Sequence, residues 1–250
     1  MKSKKPFIHL FPLLLVCAIC ANADPSGTNI STEYPCKSHS IEECAPRSVA
    51  EEQDLSEQLS IMMGHLRTGL ALFEVAEHAM GTPHLMHPIR ETSEGQRNVL
   101  KSYGFDEKDF EFLADSIGVE SPNLSVMADV LSLISSMESL QTRLASDPFR
   151  NILTLLNLAV EEYEIAVKGE VISDVSEYQD SYGFILEAKK QSARLKKVEA
   201  SAALSILDSL EVLWINGVLP PSKPTSTSKV AKRIGDAIEE LRELQDVSAK

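Results

Sequence analysis

Basic residues are scarce in this chain. Lys and Arg number 24 against 37 Asp and Glu, a net charge of −13, so the basic face that nucleic acid or an anionic membrane surface requires is missing. Tryptophan occurs once and β-branched clusters are few, which points away from an all-β design. There is no Gly-x-Ser-x-Gly, no His-Glu-x-x-His and no Gly-rich phosphate loop. These absences remove nucleophile-elbow, zinc-protease and nucleotide chemistry, and the chain is not expected to be an enzyme. The apolar run from about Phe7 to Cys20 is too short to span a bilayer comfortably. Hydrophobic content of 43% with 24% charged residues is that of an ordinary globular protein.

The apolar run instead fits a secretory signal. Lys2, Lys4 and Lys5 form a basic n-region, and Ala21-Asn22-Ala23 offers the small-x-small pattern for cleavage after Ala23. Residues 1–23 are therefore expected to be removed and the protein exported, to the periplasm in a Gram-negative cell. Losing those three lysines leaves 21 basic residues against 37 acidic ones, a mature charge of −16. Two of the four cysteines leave with the signal. The remaining pair, Cys36 and Cys44, lies in a Ser-, Pro- and Thr-rich stretch, and an oxidising compartment predicts one disulfide between them. A metal or redox pair using His39 between them matches no standard zinc spacing.

Residues 24–50 lack periodicity and read as a flexible tail carrying that disulfide; residues 51–250 read as the folded domain. Leu55, Leu59, Met62, Leu66, Gly69, Phe73, Ala76 and Met80 recur at steps of three and four, one stripe on a first helix. Gly81-Thr82-Pro83 is expected to end it and Pro88 to open a second helix that runs to Tyr103. Asp106 caps a short helix stopping at Gly118, and another runs from about Asn123 to Ala145. Asp147-Pro148 starts a further helix that stops at Gly169. A helix capped by Ser173 would reach Asn216-Gly217, about 65 Å at 1.5 Å per residue, so a break is expected near Lys197–Ser201. A linker with Pro220, Pro221 and Pro224 precedes a last helix, Val230 to about Leu244. No segment alternates with period two for long enough to make a strand. Seven or eight helices on short loops predict an all-α bundle of antiparallel hairpins, monomeric or weakly associated. Ala71, Glu74 and Gly81 recur as Ala159, Glu162 and Gly169, each 88 residues on, a faint echo of duplication.

Four of the five histidines left after cleavage lie within residues 65–87: His65, His78, His84 and His87, with Glu91 following. Imidazoles and a carboxylate suit iron, copper or zinc. On one helix, His84-x-x-His87-x-x-x-Glu91 places all three side chains within about 60°; if the helix begins at Pro88, the two histidines lie in the loop before it. Two readings are open. His84, His87 and Glu91, with His65 as an addition, form a metal-ligand nucleus; or the histidines merely shape a helix corner. His65 lies about 24 Å down the first helix from Gly81 at 1.5 Å per residue, which sets it apart from the others. His78 sits beside Glu74 and Glu77 on the polar side. Glu177 and Asp180 share a face opposite the main stripe of their helix, where two carboxylates could complete a metal site, accept hydrogen bonds from the histidines, or simply be solvated.

The motifs Gly64-His65-Leu66-x-x-Gly69, His84-x-x-His87-Pro88-x-x-Glu91 and Glu177-Tyr178-Gln179-Asp180-x-x-Gly183-Phe184 resemble the landmarks of a family of exported all-helical proteins of Gram-negative bacteria. The resemblance covers residues 58–225 and implies an exported helical fold without implying an activity. A more distant similarity is to imelysin-like helical proteins of periplasmic iron uptake. Their Gly-x-His-x-x-Glu element is not reproduced, since Leu66, Arg67 and Thr68 follow His65. The sequence thus predicts an exported helical bundle that binds a transition metal ion through its His/Glu cluster. The alternative is a protein-interaction or structural module recognised by its acidic surface, with the protein partner unspecified.

Overall fold

The computed structural model describes residues 48–117 and 124–248, all within the compact unit Ser38–Lys250. The signal segment, the Cys36–Cys44 pair and most of the tail lie outside the described residues.

Nine helices are present among the described residues: α1 (Val49–Glu74), α2 (His78–Glu91), α3 (Glu94–Ser102), α4 (Lys108–Ile117), α5 (Leu124–Gln141), α6 (Pro148–Ala166), α7 (Val175–Ser192), α8 (Lys197–Glu211) and α9 (Thr227–Ser248). The expected all-α bundle is what the chain forms, with nine helices rather than seven or eight because the second expected helix divides into α2 and α3. Among the described residues the strands are confined to a two-residue ribbon between α6 and α7, β1 (Val167–Lys168) against β2 (Val171–Ile172), antiparallel with Val167 opposite Ile172. Gly169 turns it with φ +66°. A strand this short carries no periodicity to read.

The helix starts follow local chemistry. Ser48 and Glu51 make a capping box at α1, with Glu51 N–H donating to Ser48 Oγ at 3.2 Å. Asp147 caps α6 ahead of Pro148, and Asp174, not Ser173, caps α7 through Ser176 N–H at 3.0 Å. The long helix breaks at 193–196, just before the expected point, and α9 begins at Thr227 rather than Val230.

Two boundaries differ from expectation in ways that matter for function. α1 ends at Glu74, where Ala76 adopts φ +64°, an uncommon conformation for a residue with a Cβ. Gly81 does not stop a helix; it lies inside α2, where a Cβ would come within 2.7 Å of Phe73 and 3.0 Å of the Gly69 carbonyl oxygen. Its small size lets α2 pack closely on α1. Both Pro83 and Pro88 lie within α2, each removing one backbone hydrogen bond. The second helix does not continue to Tyr103, because Ser93 and Gln96 form a new capping box that opens α3. Gly81 and Gly169, the ends of the proposed repeat, thus occupy different settings, one inside a helix and one in a hairpin turn.

Two apolar cores result. One is built mainly from α6–α9 and holds Tyr163, Tyr178, Ile185, Leu207, Trp214, Ile234 and Leu241. The other belongs to α1–α5 and holds Leu59, Met62, Met63, Leu66, Phe110, Val130 and Met137. A buried polar seam links them. Gln53 Nε2 donates to Asn151 Oδ1 at 3.0 Å, Gln141 Nε2 donates to Ser60 Oγ at 2.7 Å, and Gln191 Nε2 donates to Gln141 Oε1 at 3.0 Å. Arg67 closes the row, pairing with buried Glu187 and with Glu138 at 3.0 Å. Each of these amide and guanidinium contacts satisfies a group that would otherwise be costly to bury.

Candidate metal centre

Three helices meet beside this seam. α1 supplies His65, α2 supplies His84, His87 and Glu91, and α7 supplies Gln179 and Asp180. Their approach depends on small residues. A Cβ on Gly183 would lie 1.9 Å from Thr68 Oγ1 and 2.7 Å from the Gly64 carbonyl oxygen, and one on Gly64 would lie 2.5 Å from Phe184. Only glycines allow α1 and α7 to lie this close, and that closeness brings His65 to Asp180.

Asp180 is the hub, 1% exposed. His84 Nδ1 lies 2.8 Å from its Oδ1 and His65 Nδ1 lies 3.0 Å from the same oxygen, while His87 Nδ1 lies 3.3 Å from Oδ2. On the other side, His65 Nε2 lies 3.1 Å from Glu91 Oε2 and His87 Nδ1 lies 3.6 Å from Glu91 Oε1. Despite these distances, His65 Nδ1, His87 Nδ1 and Asp180 Oδ2 have no hydrogen-bond partner. His84 Nδ1 and Asp180 Oδ1 share a hydrogen bond, whereas the His65 and His87 Nδ1 atoms lie near Asp180 without one. Ligand atoms about 2.1 Å from a common tetrahedral ion stand about 3.4 Å from one another, the range these contacts occupy. The atoms fall into two triads, His65, His87 and Glu91 in one and His84, His87 and Asp180 in the other, each mutually within 4.8 Å. Both are two histidines and one carboxylate, the donor set of non-haem ferrous centres with open positions.

The electrostatics are those of tightly coupled groups. Burial works against the Asp180 carboxylate, but His65, His84 and His87 hold its pKa well below the usual carboxylate range. Burial likewise opposes protonation of His65, yet Asp180 and Glu91 raise its pKa to about 10. The His65 imidazole keeps the Glu91 carboxyl below its ordinary value. A metal ion held here would compete with a proton on His65.

Gln179, not singled out by sequence reasoning, orients His84. Its Nε2 faces Met80 Sδ at 3.5 Å, and its Oε1 lies 2.9 Å from His84 Nε2. A carbonyl oxygen there accepts Nε2–H and leaves the Nδ1 lone pair of a neutral imidazole for a metal ion, a contact that fixes tautomer and ring orientation. Its only sequence signal was its place beside Asp180. Of the other candidates, Glu177 sits one turn away and pairs with Glu162 across α6, where burial first and then the Glu177 carboxyl push Glu162 up to about 8. His78 stands apart, stacked on Phe73 with ring centroids 4.8 Å apart. His65, expected far from His84, is beside it because α1 ends nine residues after His65 and α2 turns straight back.

Residues 141–248 match the family model described as an iron permease-associated 4-helix bundle domain. The match takes in α6–α9, and so contains Gln179 and Asp180. The four other ligand candidates, on α1 and α2, lie outside it. No curated protein and no solved structure matches the chain. The matched segment is thus similar to a helical domain whose description names an association with an iron permease rather than a reaction. No helix among the described residues is long and apolar enough to cross a membrane.

Proposed function

We propose that this protein is an exported carrier of ferrous iron, which it holds as cargo at the seam between α1, α2 and α7. The observation that carries this reading is the convergence of His65, His84 and His87 on buried Asp180 with three of their polar atoms at ion-pair distance yet without a hydrogen bond. A purely structural cluster would satisfy those atoms, since an unmet buried donor or acceptor costs about 1–3 kcal/mol. The two-histidine, one-carboxylate donor sets favour ferrous iron by chemistry, and the iron permease-associated match over α6–α9 points the same way. Copper and zinc bind any such site more tightly than iron by intrinsic affinity, so supply in the compartment decides occupancy. The signal-like residues 1–23 support export, and the permease association supports delivery to a membrane partner.

Anaerobic calorimetric titration of apo protein with Fe²⁺, with Zn²⁺ and Cu²⁺ in parallel, tests this. The parent is expected to bind more tightly than about 10 μM, equivalent to about −7 kcal/mol. A His84→Ala/His87→Ala double variant is expected to lose binding while keeping its helical circular dichroism, because two apolar cores hold the fold. Equal affinities, or no binding in the parent, would refute the metal reading and leave the interaction module.

A further inference from the structure

The two triads share His87, and they differ in depth. The Glu91 side chain is 55% exposed and that of His87 20%, whereas those of His84 and Asp180 are each 1% exposed. His87 Nδ1 stands between the two carboxylates, 3.6 Å from Glu91 and 3.3 Å from Asp180. That nitrogen has one lone pair and can coordinate one ion at a time. His65 is placed likewise, its Nε2 at Glu91 and its Nδ1 at Asp180, and a neutral imidazole also has a single lone pair.

We propose that the triads are two successive positions for one metal ion: exposed Glu91 and part-exposed His87, with buried His65 behind them, receive it first, and His87 passes it inward to His84 and Asp180. This rests on the metal reading above. Transfer exchanges the Glu91 oxygen and the His65 nitrogen for the Asp180 oxygen and the His84 nitrogen. No electron is moved and no covalent bond of the protein is broken. His87 stays bound throughout, so the ion is never without a protein ligand. Because both positions require the same His87 nitrogen, they are alternatives, and the chain holds one ion. The arrangement separates fast capture by an exposed carboxylate from retention by buried ligands, as a carrier that must load and unload requires.

Stopped-flow mixing of apo protein with Co²⁺, followed by its visible ligand-field absorption, tests the scheme. The parent is expected to show a fast phase whose rate rises with Co²⁺ concentration, then a slower concentration-independent phase, ending at one ion per chain. Glu91→Gln is expected to slow the first phase at least tenfold. Asp180→Asn is expected to abolish the second phase and to speed removal of the ion by chelator at least tenfold. Where Asp180→Asn disturbs folding, as circular dichroism reports, His84→Ala removes the same inner position and must give the same kinetics. A single concentration-dependent phase in the parent, an unchanged first phase in Glu91→Gln, or two ions per chain would overturn the two-position scheme while leaving metal binding intact. A parent that binds no Co²⁺ would instead remove the metal reading itself.

Discussion

Gly183→Ala isolates the packing on which the site depends. The added methyl would lie 1.9 Å from Thr68 Oγ1 and 2.7 Å from the Gly64 carbonyl oxygen. The hydroxyl could turn away, but the carbonyl belongs to α1 itself. Relieving that contact alone takes about 0.7 Å of separation between α1 and α7, from 2.7 Å to the 3.4 Å of ordinary contact. Overpacking of this kind costs roughly 1–3 kcal/mol, and a clash with backbone belongs at the upper end. Replacing a mid-helix glycine by alanine returns about 1 kcal/mol of helix propensity. The net expectation is a loss of about 2 kcal/mol, or roughly 4–8 °C in Tm for a domain of this size. Gly235→Ala supplies the contrast. It makes the same change in helix α9 where a Cβ would meet nothing within 4 Å, and is expected to raise Tm by about 2–4 °C. Urea and thermal unfolding followed by circular dichroism measure both. A Gly183→Ala protein that melts at or above the parent would refute the reasoning, since α1 and α7 would then have room that the distances deny.

Two further expectations concern charge. Arg67→Met leaves buried Glu187, whose carboxyl burial already pushes upward, without its guanidinium, and is expected to cost about 3–5 kcal/mol; the Arg67→Met/Glu187→Met double variant should recover most of that, and a double variant no more stable in urea than the single one would show that the pair is not the cause. Glu162, held up to about 8 by burial and by the neighbouring Glu177 carboxyl, keeps in the folded chain a proton that the unfolded chain releases near pH 4.5. Its stabilisation is therefore complete below pH 4.5 and lost as pH rises through about 8, so the Tm of the parent should fall relative to Glu162→Gln between pH 5 and 9, and parallel profiles would rule the pairing out.

Helix identity was legible in the sequence because the apolar stripes run long and regular, as from Leu55 to Phe73. Helix ends were less so. The stop after Glu74 rests on Ala76 in a left-handed conformation, with neither glycine nor proline to mark it. Gly81, a reasonable stop by composition, is there for close packing against Phe73. That one misplacement put His65 about 24 Å from the turn at 1.5 Å per residue, whereas nine residues, about 14 Å, separate it from the end of α1. His84 lies six residues into α2, about 9 Å from its start, so an antiparallel hairpin sets the two histidines at similar heights. The break before α3 was written in Ser93-x-x-Gln96, a capping box that periodicity alone passed over.

The ligand types on α2 could be read directly, but not their shared face: with Pro88 expected to open the helix, His84 and His87 fall in a loop, whereas α2 begins at His78 and the i, i+3, i+7 spacing sets all three on one face. What local sequence cannot give is the partner 96 residues away, Asp180. A buried carboxylate and a solvated one look alike in sequence; only the contact between α1 and α7 through Gly64, Thr68 and Gly183 decides which this is. Asp180 would be costly to bury as a bare anion, and in the apo protein the proton held on His65, with its pKa raised to about 10, supplies the positive charge that a metal would bring. On the metal reading proposed above, proton and metal exchange at the same carboxylate. On that reading the two apolar cores keep the bundle folded with or without the ion, and it is the ionic state of one buried seam, rather than the folding of the chain, that would change on binding.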